Sequence, residues 1–519
     1  MTDRRRREPA QAPEPAPGGA VTGPPEVDPV SGSTRVGSDR VLDVLLLLAP
    51  VLVFALLALF VLVDPPAGVT TSNGTATDEA WDVINARNLV LLGRLSTDDW
   101  NLHLVNAPFS AIQAAVFSIA GVGIGPARLV SIAAVALTMA VLGWGLRRTL
   151  GAGPALIAAL AYGTSALVLF YGRLAFLEPT VALGLTVGAL LAVRARGPAA
   201  GRWGVVAGLA LALAIGTKPS AAFAAVGILV GLAVVGGRSP SILRWLVGAV
   251  GTIGAAAVAW LVLIGLPNRD AVATDLRIWA SEPLFASPGE MLHQVLTFPI
   301  RNDGFLGFAA PIILFGVAGA LVAIRRRSSL PDGWHLLLAV AIGWLVVGLG
   351  LLALAPYRPS RYEVPLLPAF ALLGAIGCAV VLRGPRRWSP RVTRTAFAAL
   401  CVTLVAPGLL LDATWMSGGR SSLPDIQARV RAILPAGAAV QGDLASAFAL
   451  TAPVVTLVSR PSTRVNPGDL YRTRGVRWYV GTPASAPAWA ALHQAAWSAR
   501  TSRLCAPWGG AVVCLWQLP

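Results

Sequence analysis

Residues 42–63 read LDVLLLLAPVLVFALLALFVLV, and the polar stretch Thr77-Asp78-Glu79-Ala80-Trp81 follows shortly after them. The first stretch can cross a bilayer as a helix, because about 20 apolar residues are needed for this. The chain repeats this alternation of apolar runs and short polar stretches along most of its length. Of its 519 residues, 55% are hydrophobic and 13% are charged, whereas soluble globular proteins carry about 25% charged residues. The sequence therefore predicts an all-α polytopic membrane protein.

The arginines determine the predicted orientation. They form short clusters between apolar runs, as in Arg147-Arg148 and Arg325-Arg326-Arg327, which is the pattern of cytoplasmic loops. The net charge of +16 is therefore attributed to these loops and not to nucleic-acid binding. About eleven spans are predicted, at 42–63, 126–146, 151–171, 180–193, 203–216, 220–236, 245–266, 306–324, 335–355, 364–382 and 395–412. Residues 107–124 are apolar but short, and we interpret them as a shallow or interfacial helix.

Both ends of the chain differ from the membrane part, 41–412. Residues 1–40 are rich in Pro, Gly and Arg without an apolar core, which predicts a disordered cytoplasmic tail and not a signal peptide. Residues 413–519 predict a small extracytoplasmic α/β domain. Its predicted elements are a helix at Ile426–Ile433 and strands at Ala438–Val440, Val454–Val458, Trp478–Val480 and Ala511–Trp516. Cys505 and Cys514 would be able to form a disulfide if this end is extracytoplasmic.

The acidic pair Asp78-Glu79 is the first candidate active site. It lies in the polar stretch 64–106, which the orientation rules place on the outer face as a long loop. A carboxylate there would act as the general base that deprotonates an acceptor hydroxyl. The alternative is a pair of acids in a solvated loop.

Lys218 is the second candidate, because it is the only lysine among the 41 basic Lys and Arg residues. It lies between two short apolar runs at the predicted outer face, where its compact ammonium group would hold a lipid phosphate. The alternative is a side chain that reaches from the apolar region to the interface.

Further polar residues are predicted on the same face. Arg173 and Glu178-Pro179 are one group, for which an ordinary capped loop is the alternative. A cationic collar around a phosphate leaving group would comprise Arg128, Arg173, Arg358, Arg361 and Tyr362. His103 and His293 have no metal-ligand spacing and would serve as hydrogen-bonding partners.

In the order and spacing of several short motifs, residues 41–412 resemble the GT-C membrane glycosyltransferases. The resemblance is to the branch that contains the protein O-mannosyltransferases and the lipid A aminoarabinose transferase. The matching pieces are Asp78-Glu79, Pro108, Ala127-Arg128-Leu129, Arg147-Arg148, Gly172-Arg173, Glu178-Pro179, Gly208-Leu209-Ala210, Thr217-Lys218, Arg361-Tyr362, Pro365 and Pro368. Two departures put the identity of the acceptor in doubt. Asn106-Ala107-Pro108 stands where the family often has His-Pro-Pro, and Glu178 stands where it often has Asp.

The resemblance implies the GT-C fold and an inverting transfer of sugar from a polyprenyl-phosphate donor to a hydroxyl group on a glycan, lipid or protein. The implied catalytic residues are Asp78, Glu79 and Glu178, and the implied donor-phosphate contacts are Lys218, Arg361, Arg173, Arg128 and Tyr362. His103 and Arg358 are further candidates, for the acceptor side. No metal site, cofactor or nucleic acid is expected, although a divalent cation is left open. The expected location is the bacterial inner membrane, with the N-terminus in the cytoplasm.

Other function classes remain as alternatives. A transporter or flippase for a lipid-linked sugar would keep its functional charges near the middle of the bilayer, whereas the charges here are predicted at one face. A polymerase or ligase of lipid-linked glycans would fit a long outer loop rich in Arg, but not the early acidic pair. A catalytically inactive relative is the remaining alternative.

Overall fold

The computed structural model describes residues 36–65, 74–236, 239–280, 305–355, 359–383, 389–458, 473–483, 494–508 and 511–519, and in addition Ser287, Gly289, Leu292 and His293. Most of the predicted tail lies outside these residues. Helix α1 begins at Val36, within the predicted tail. Residues Leu42–Pro519 form one compact unit.

Helices make up the part of the chain that precedes the C-terminal sheet. They are α1 (Val36–Leu59), α2 (Gly74–Leu92), α3 (Leu102–Val105), α4 (Ala107–Ala120), α5 (Ile124–Leu150), α6 (Ala152–Gly163), α7 (Ala166–Gly172), α8 (Glu178–Leu191), α9 (Ala200–Thr217), α10 (Ala221–Gly236), α11 (Pro240–Trp260), α12 (Arg269–Ala280), α13 (Phe305–Arg325), α14 (Asp332–Leu354), α15 (Leu367–Arg383), α16 (Pro390–Ser417) and α17 (Ser422–Ile433). A 3₁₀ segment, Ser360–Leu366, precedes α15.

The polytopic all-α prediction is confirmed. Nine helices in the described ranges are long and apolar enough to cross a membrane, or ten if the bent pair α6 and α7 is one span. The predicted span at 220–236 corresponds to α10, which is apolar but shorter than the others, and the predicted short helix at 107–124 is α4. Large apolar side chains of α11, such as Val247 and Val258, are exposed. This is the surface that a lipid-facing helix presents, because lipid solvates apolar side chains.

The helix pair α10 and α14 shows how closely these spans pack. Gly227 and Gly231 of α10 face the backbone of α14 around Gly343, and a Cβ atom on Gly227 would overlap the carbonyl group of Gly343. Small residues at such crossings let two backbones approach, which supplies the packing contacts that hold helices together where no hydrophobic driving force acts between them.

The polar stretch 64–106, predicted as a long loop, is largely helical. Its α2 buries apolar residues on one side, including Val83 and Ala86, and also buries the charged side chain of Arg87. The Arg87 guanidinium donates to the carbonyl groups of Leu450 and Val454 at 3.1 and 2.8 Å. Helix α2 is packed between the transmembrane helices and the C-terminal domain, so its acids are not those of a solvated loop.

The C-terminal domain contains a five-stranded mixed sheet in the order β2-β1-β3-β5-β4. Its strands are β1 (Ala439–Gln441), β2 (Val455–Leu457), β3 (Trp478–Gly481), β4 (Thr501–Trp508) and β5 (Ala511–Gln517). Strand β1 is parallel to β2 and β3, whereas β5 is antiparallel to β3 and β4.

Strand β4 was not among the predicted elements, although the other four strands were. It contains Pro507 and lies at the edge of the sheet, where a residue without a backbone N–H is tolerated. Cys505 of β4 is disulfide-bonded to Cys514, its direct partner on β5. The disulfide that the sequence left open is therefore present, and it ties the edge strand to the sheet.

Candidate active site

Glu79 and Arg128 form the structural brace beside which Asp78 lies. Arg128 of α5 binds both carboxylate oxygens of Glu79, with Nε–Oε1 and Nη2–Oε2 distances of 2.8 and 2.9 Å. The second amino group of Arg128 donates to the carbonyl groups of Val61 and Val63, just after α1. The backbone N–H of Ala175 donates to Glu79 at 2.8 Å. The brace therefore connects α2 to α1, to α5 and to the chain that leads into α8.

This brace contains two residues that were predicted to contact substrate. The side chains of Glu79 and Arg128 are 2% and 1% exposed, and each is bound by the other and by backbone groups. Arg128 thus has no free face for a donor phosphate, and Glu79 has none for a substrate. In the structure both residues support the site, and the prediction that they contact substrate stays a prediction.

Asp78, in contrast, belongs to a cluster of charged groups from four segments of the chain. Nη1 of Arg361 lies 2.6 Å from Oδ2 of Asp78, and Nε of Arg361 lies 3.4 Å from Oε1 of Glu178. The ammonium group of Lys218 donates to the same oxygen of Glu178. The structure therefore brings two predicted acids and two predicted cations into direct contact.

Aromatic rings cover the cationic side of this cluster. The ammonium nitrogen of Lys218 lies 3.5 Å from the ring centroid of Tyr362. The guanidinium carbon of Arg361 lies 5.1 Å from the ring centroid of Phe176 and 5.4 Å from that of Tyr362. Such contacts stabilise a cation through the negative face of the ring. They hold the two positive charges at the site without neutralising them.

Local structure explains why these side chains meet. Glu178 is in the first turn of α8 and is followed by Pro179, positions where an acid and a proline both favour a helix start. Lys218 directly follows the last residue of α9. Arg361 lies in the 3₁₀ segment that precedes α15, and the hydroxyl groups of Ser360 and Tyr171 in α7 are 2.7 Å apart. All of these positions are helix ends at the side of the bundle that carries the C-terminal domain.

Arg173 lies outside this cluster. It forms a buried ion pair with Asp412 of α16, and its Nε donates to the carbonyl group of Leu169 at 3.0 Å. Its guanidinium group connects two transmembrane segments, and the prediction that Arg173 binds the donor phosphate stays a prediction.

His103 and Arg358 are the remaining candidates. The ring Nδ1 of His103 lies 3.3 Å from the hydroxyl group of Ser96, and its backbone N–H donates to the side chain of Asn85. These contacts hold the segment after α2 and do not reach the charged cluster. Arg358 lies outside the described residues. Within the described ranges, no three His, Cys, Asp or Glu side chains are arranged to hold a metal ion.

Asp82 is a site residue that the sequence reasoning did not select. It follows Asp78 by four positions on α2, and its charge interacts with those of Asp78, Glu178, Lys218 and Arg361. The four-residue spacing would have identified it if the stretch had been interpreted as a helix, because residues at that spacing share a helix face. In a loop, by contrast, a four-residue spacing does not place two side chains on the same face.

Part of the chain matches a known family model. Residues 107–263 match the family model described as dolichyl-phosphate-mannose-protein mannosyltransferase. No curated protein matches the sequence. The matched range begins at α4 and ends three residues after α11, so it includes Arg128, Glu178 and Lys218.

Solved structures match over more of the chain. ArnT from Cupriavidus metallidurans, bound to undecaprenyl phosphate, matches with a TM-score of 0.63 and 16% identity over 91% of this chain and 97% of that chain. The oligosaccharyltransferase AglB from Archaeoglobus fulgidus, in complex with an inhibitory peptide and a dolichol-phosphate, matches with a TM-score of 0.52 and 13% identity over 83% of this chain and 69% of that chain.

A third match is the arabinofuranosyltransferase AftD from Mycobacteria, with a TM-score of 0.53 and 16% identity over 94% of this chain and 40% of that chain. At these identities the likeness concerns the fold. The chain has the GT-C fold of membrane glycosyltransferases, and it resembles the branch of ArnT and the protein O-mannosyltransferases.

Proposed function

We propose that the protein is an inverting membrane glycosyltransferase that moves a sugar from a polyprenyl-phosphate donor to an acceptor hydroxyl on the extracytoplasmic side. The observation that carries this proposal is the cluster in which Arg361 pairs with Asp78 and Glu178 while Lys218 binds Glu178. A candidate base and two cations lie together at one end of the helix bundle. This is the set of groups that transfer from a phosphate leaving group requires.

The donor phosphate is proposed to bind Lys218 and Arg361. An apolar cleft leads away from Lys218 between α8, α10 and α14, and its lining includes Val181, Leu185, Phe223, Leu351 and Leu352. A polyprenyl chain would bury apolar surface there, which is favourable in proportion to the area removed from water. The undecaprenyl phosphate bound to ArnT, a protein of the same fold, supports this class of donor.

Donor binding would exchange the partners of Arg361. In the ion pair described above, Arg361 occupies Oδ2 of Asp78. A phosphate that binds the guanidinium group would replace the carboxylate, because phosphate oxygens accept two parallel N–H bonds from arginine. The released Oδ2 would then face the acceptor, so the base would be free only when donor is present.

In the proposed reaction, the acceptor hydroxyl gives its proton to Asp78 while its oxygen attacks the anomeric carbon. The bond from that carbon to the phosphate oxygen breaks, and the bonding pair leaves with the polyprenyl phosphate. Lys218 and Arg361 stabilise the charge that develops on the leaving group. No general acid is needed, because the phosphate leaves as a stable anion. A single displacement inverts the configuration at the anomeric carbon.

Two features support an extracytoplasmic site. Arginines mark the opposite helix ends, at Arg147-Arg148 of α5, at Arg325 of α13 and at Arg383 of α15, and cytoplasmic ends are the ones that carry such residues. The disulfide between Cys505 and Cys514 lies in the domain that packs on the site, and disulfides persist in oxidising compartments.

The proposal is tested by incubating purified full-length protein with a panel of radiolabelled polyprenyl-phosphate sugars and cell-envelope acceptors. We expect one donor to label an acceptor, with inverted anomeric configuration by NMR of the product, and no labelling with Asp78→Asn. Transport of intact lipid-linked sugar across vesicles without transfer would instead identify a flippase. Transfer with retained configuration would rule out the single displacement.

A further inference from the structure

Asn106 lies where the start of α4 meets the end of α9. It directly precedes α4 and is 4% exposed. An asparagine at this position commonly caps the helix with its side-chain oxygen, but Asn106 makes no such bond. Its amide group instead faces the carbonyl oxygens of Thr217 and Val105, at 3.2 and 3.3 Å. Because carbonyl oxygens accept and do not donate, the NH2 end of the amide is assigned to this side, where it donates to both.

The bond to Thr217 fixes the peptide group that precedes Lys218. Thr217 is the last residue of α9, and the last four carbonyl groups of a helix have no partner within it. Asn106 binds the carbonyl side of the peptide group between Thr217 and Lys218, and the N–H side donates to the carbonyl group of Ala214 at 3.0 Å. A peptide group is planar, so two bonds on opposite sides hold its orientation. They set the direction in which the side chain of Lys218 leaves the backbone.

Packing at the same junction keeps Asn106 in place. Pro108 of α4 lies against Gly216 of α9, where a Cβ atom on Gly216 would be 3.1 Å from Cγ of Pro108. The short helix α3 ends directly before Asn106 and is tied to α2, because the backbone N–H of His103 donates to the side chain of Asn85 at 3.1 Å. Asn106 thus stands between the helix that carries the proposed base and the end of α9.

We propose that Asn106 is a positioning residue for Lys218, and that its amide holds the end of α9 so that the ammonium group meets Glu178 and the donor phosphate. The placement is narrow, since the ammonium group binds a carboxylate oxygen of Glu178 while it lies 3.5 Å from the ring centroid of Tyr362. A rotated peptide group before Lys218 would disturb both contacts. The inference rests on the proposed function for the phosphate, but not for the position of the ammonium group.

The first test measures the binding of undecaprenyl phosphate to purified full-length protein. Asn106→Asp keeps the shape of the side chain but turns a carboxylate, which only accepts, toward the carbonyl group of Thr217. We expect the dissociation constant to rise about tenfold at about pH 8, and Asn106→Ala to show a similar rise. Asn268→Asp is the matched control, because Asn268 also donates to a backbone carbonyl group but at an exposed position. Wild-type affinity in Asn106→Ala would overturn the proposal.

A double-mutant cycle with Lys218 separates positioning from general destabilisation. In the Lys218→Ala background, Asn106→Ala should weaken binding by less than about twofold, because the group that it positions is already gone. A merely structural residue would cost the same affinity in both backgrounds, and that result would contradict the assignment. The cycle uses Asn106→Ala, so it remains available if Asn106→Asp does not fold.

The pH dependence of Asn106→Asp provides a rescue. Below its pKa, the introduced carboxyl group has a hydroxyl that can donate to the carbonyl group of Thr217. Burial raises the pKa of a carboxyl group, so the loss of affinity should shrink as the pH falls from about 8 to about 5, whereas the loss in Asn106→Ala should not change. Each loss is taken relative to wild type at the same pH, so that the titration of shared groups such as His103, Lys218 and Glu178, and of the phosphate, cancels. A loss of the same size in Asn106→Asp at every pH would count against the hydrogen bond.

Amine labelling keeps the result independent of any donor. Lys218 is the only lysine of the chain, so a reagent that modifies amines, quantified on the peptide that contains Lys218 by mass spectrometry, reports on this side chain. In its ion pair with Glu178 the side chain of Lys218 is 16% exposed. Both Asn106 variants should be labelled there several-fold faster than wild type and Asn268→Asp. Unchanged labelling would overturn the inference, whereas faster labelling in a protein whose wild type binds no polyprenyl phosphate would contradict the proposed function and leave Asn106 as assigned.

Discussion

Arg361 and Asp78 form an ion pair in which Nη1 and Oδ2 are 2.6 Å apart. This pair joins α2, near the start of the chain, to the segment that begins α15. Both side chains are mostly buried, at 9% and 12% exposed. The base and one of the leaving-group cations of the proposed reaction therefore start as partners.

Replacing Asp78 by Asn should remove the proposed base while keeping the size of the side chain. We expect transfer to fall by about 10²–10⁴-fold, the usual contribution of general base catalysis. The measurement is kcat with saturating donor and acceptor, together with the melting temperature. Asp270→Asn is the matched control, because Asp270 is 98% exposed. Full activity of Asp78→Asn would remove the assignment of the base.

Lys218→Ala should weaken binding of the donor and leave binding of the acceptor largely intact. A hydrogen bond to a charged group contributes about 1.5–3 kcal/mol, so we expect the donor KM to rise by about tenfold or more. Lys218→Arg should recover part of this loss by restoring the charge. Competition with free polyprenyl phosphate measures the donor affinity. An equal rise of both KM values would place Lys218 outside the phosphate site.

Glu79→Gln should lower the free energy of unfolding and not only the transfer activity. Removing one partner of a buried ion pair costs about 3–5 kcal/mol, because the remaining charge is left uncompensated. Glu79 and Arg128 are such a pair. Asp43→Asn is the control, since Asp43 pairs with Arg147 at partly exposed positions, where an ion pair contributes little to stability. Equal stability losses in the two variants, measured by unfolding in detergent, would argue against the brace.

The disulfide Cys505–Cys514 should stabilise the C-terminal domain. For a loop of this length the chain-entropy model gives about 2–3 kcal/mol, so Cys505→Ser with Cys514→Ser should lower the melting temperature. Replacing the free Cys378 and Cys401 by Ser is the control. Thiol labelling of the denatured, unreduced wild type should modify Cys378 and Cys401 alone. Modification of all four cysteines would contradict the bridge.

The burial of His103 should make the protein less stable in mild acid. Burial lowers the pKa of His103 from 6.5 to about 4. Between these values the unfolded chain binds a proton that the folded protein does not, so the free energy of unfolding falls as the pH is lowered through this window. His103→Gln should therefore melt higher than wild type at about pH 5 and equally at about pH 7.5, with His335→Gln as control. The same pH dependence in both variants would refute this role.

The sequence alone determined that the chain is a multi-pass helical membrane protein, because apolar runs must be long enough to cross a bilayer as helices. It also singled out Asp78, Glu178, Lys218 and Arg361, each from its own short motif. These choices depend on local composition, and local composition is visible in a sequence.

Only the tertiary structure decided which acid pairs with which cation. Asp78 and Glu79 are neighbours in sequence, but successive residues of an α-helix point roughly 100° apart. One therefore faces Arg361 and the other faces Arg128. Helix geometry is also the reason that the sequence did not single out Asp82. Asp82 shares a face with Asp78 only because α2 is a helix. That helix is ordered by burial against the C-terminal domain, through contacts such as Arg87 to Leu450, and long-range packing of this kind is not encoded in any single stretch of sequence.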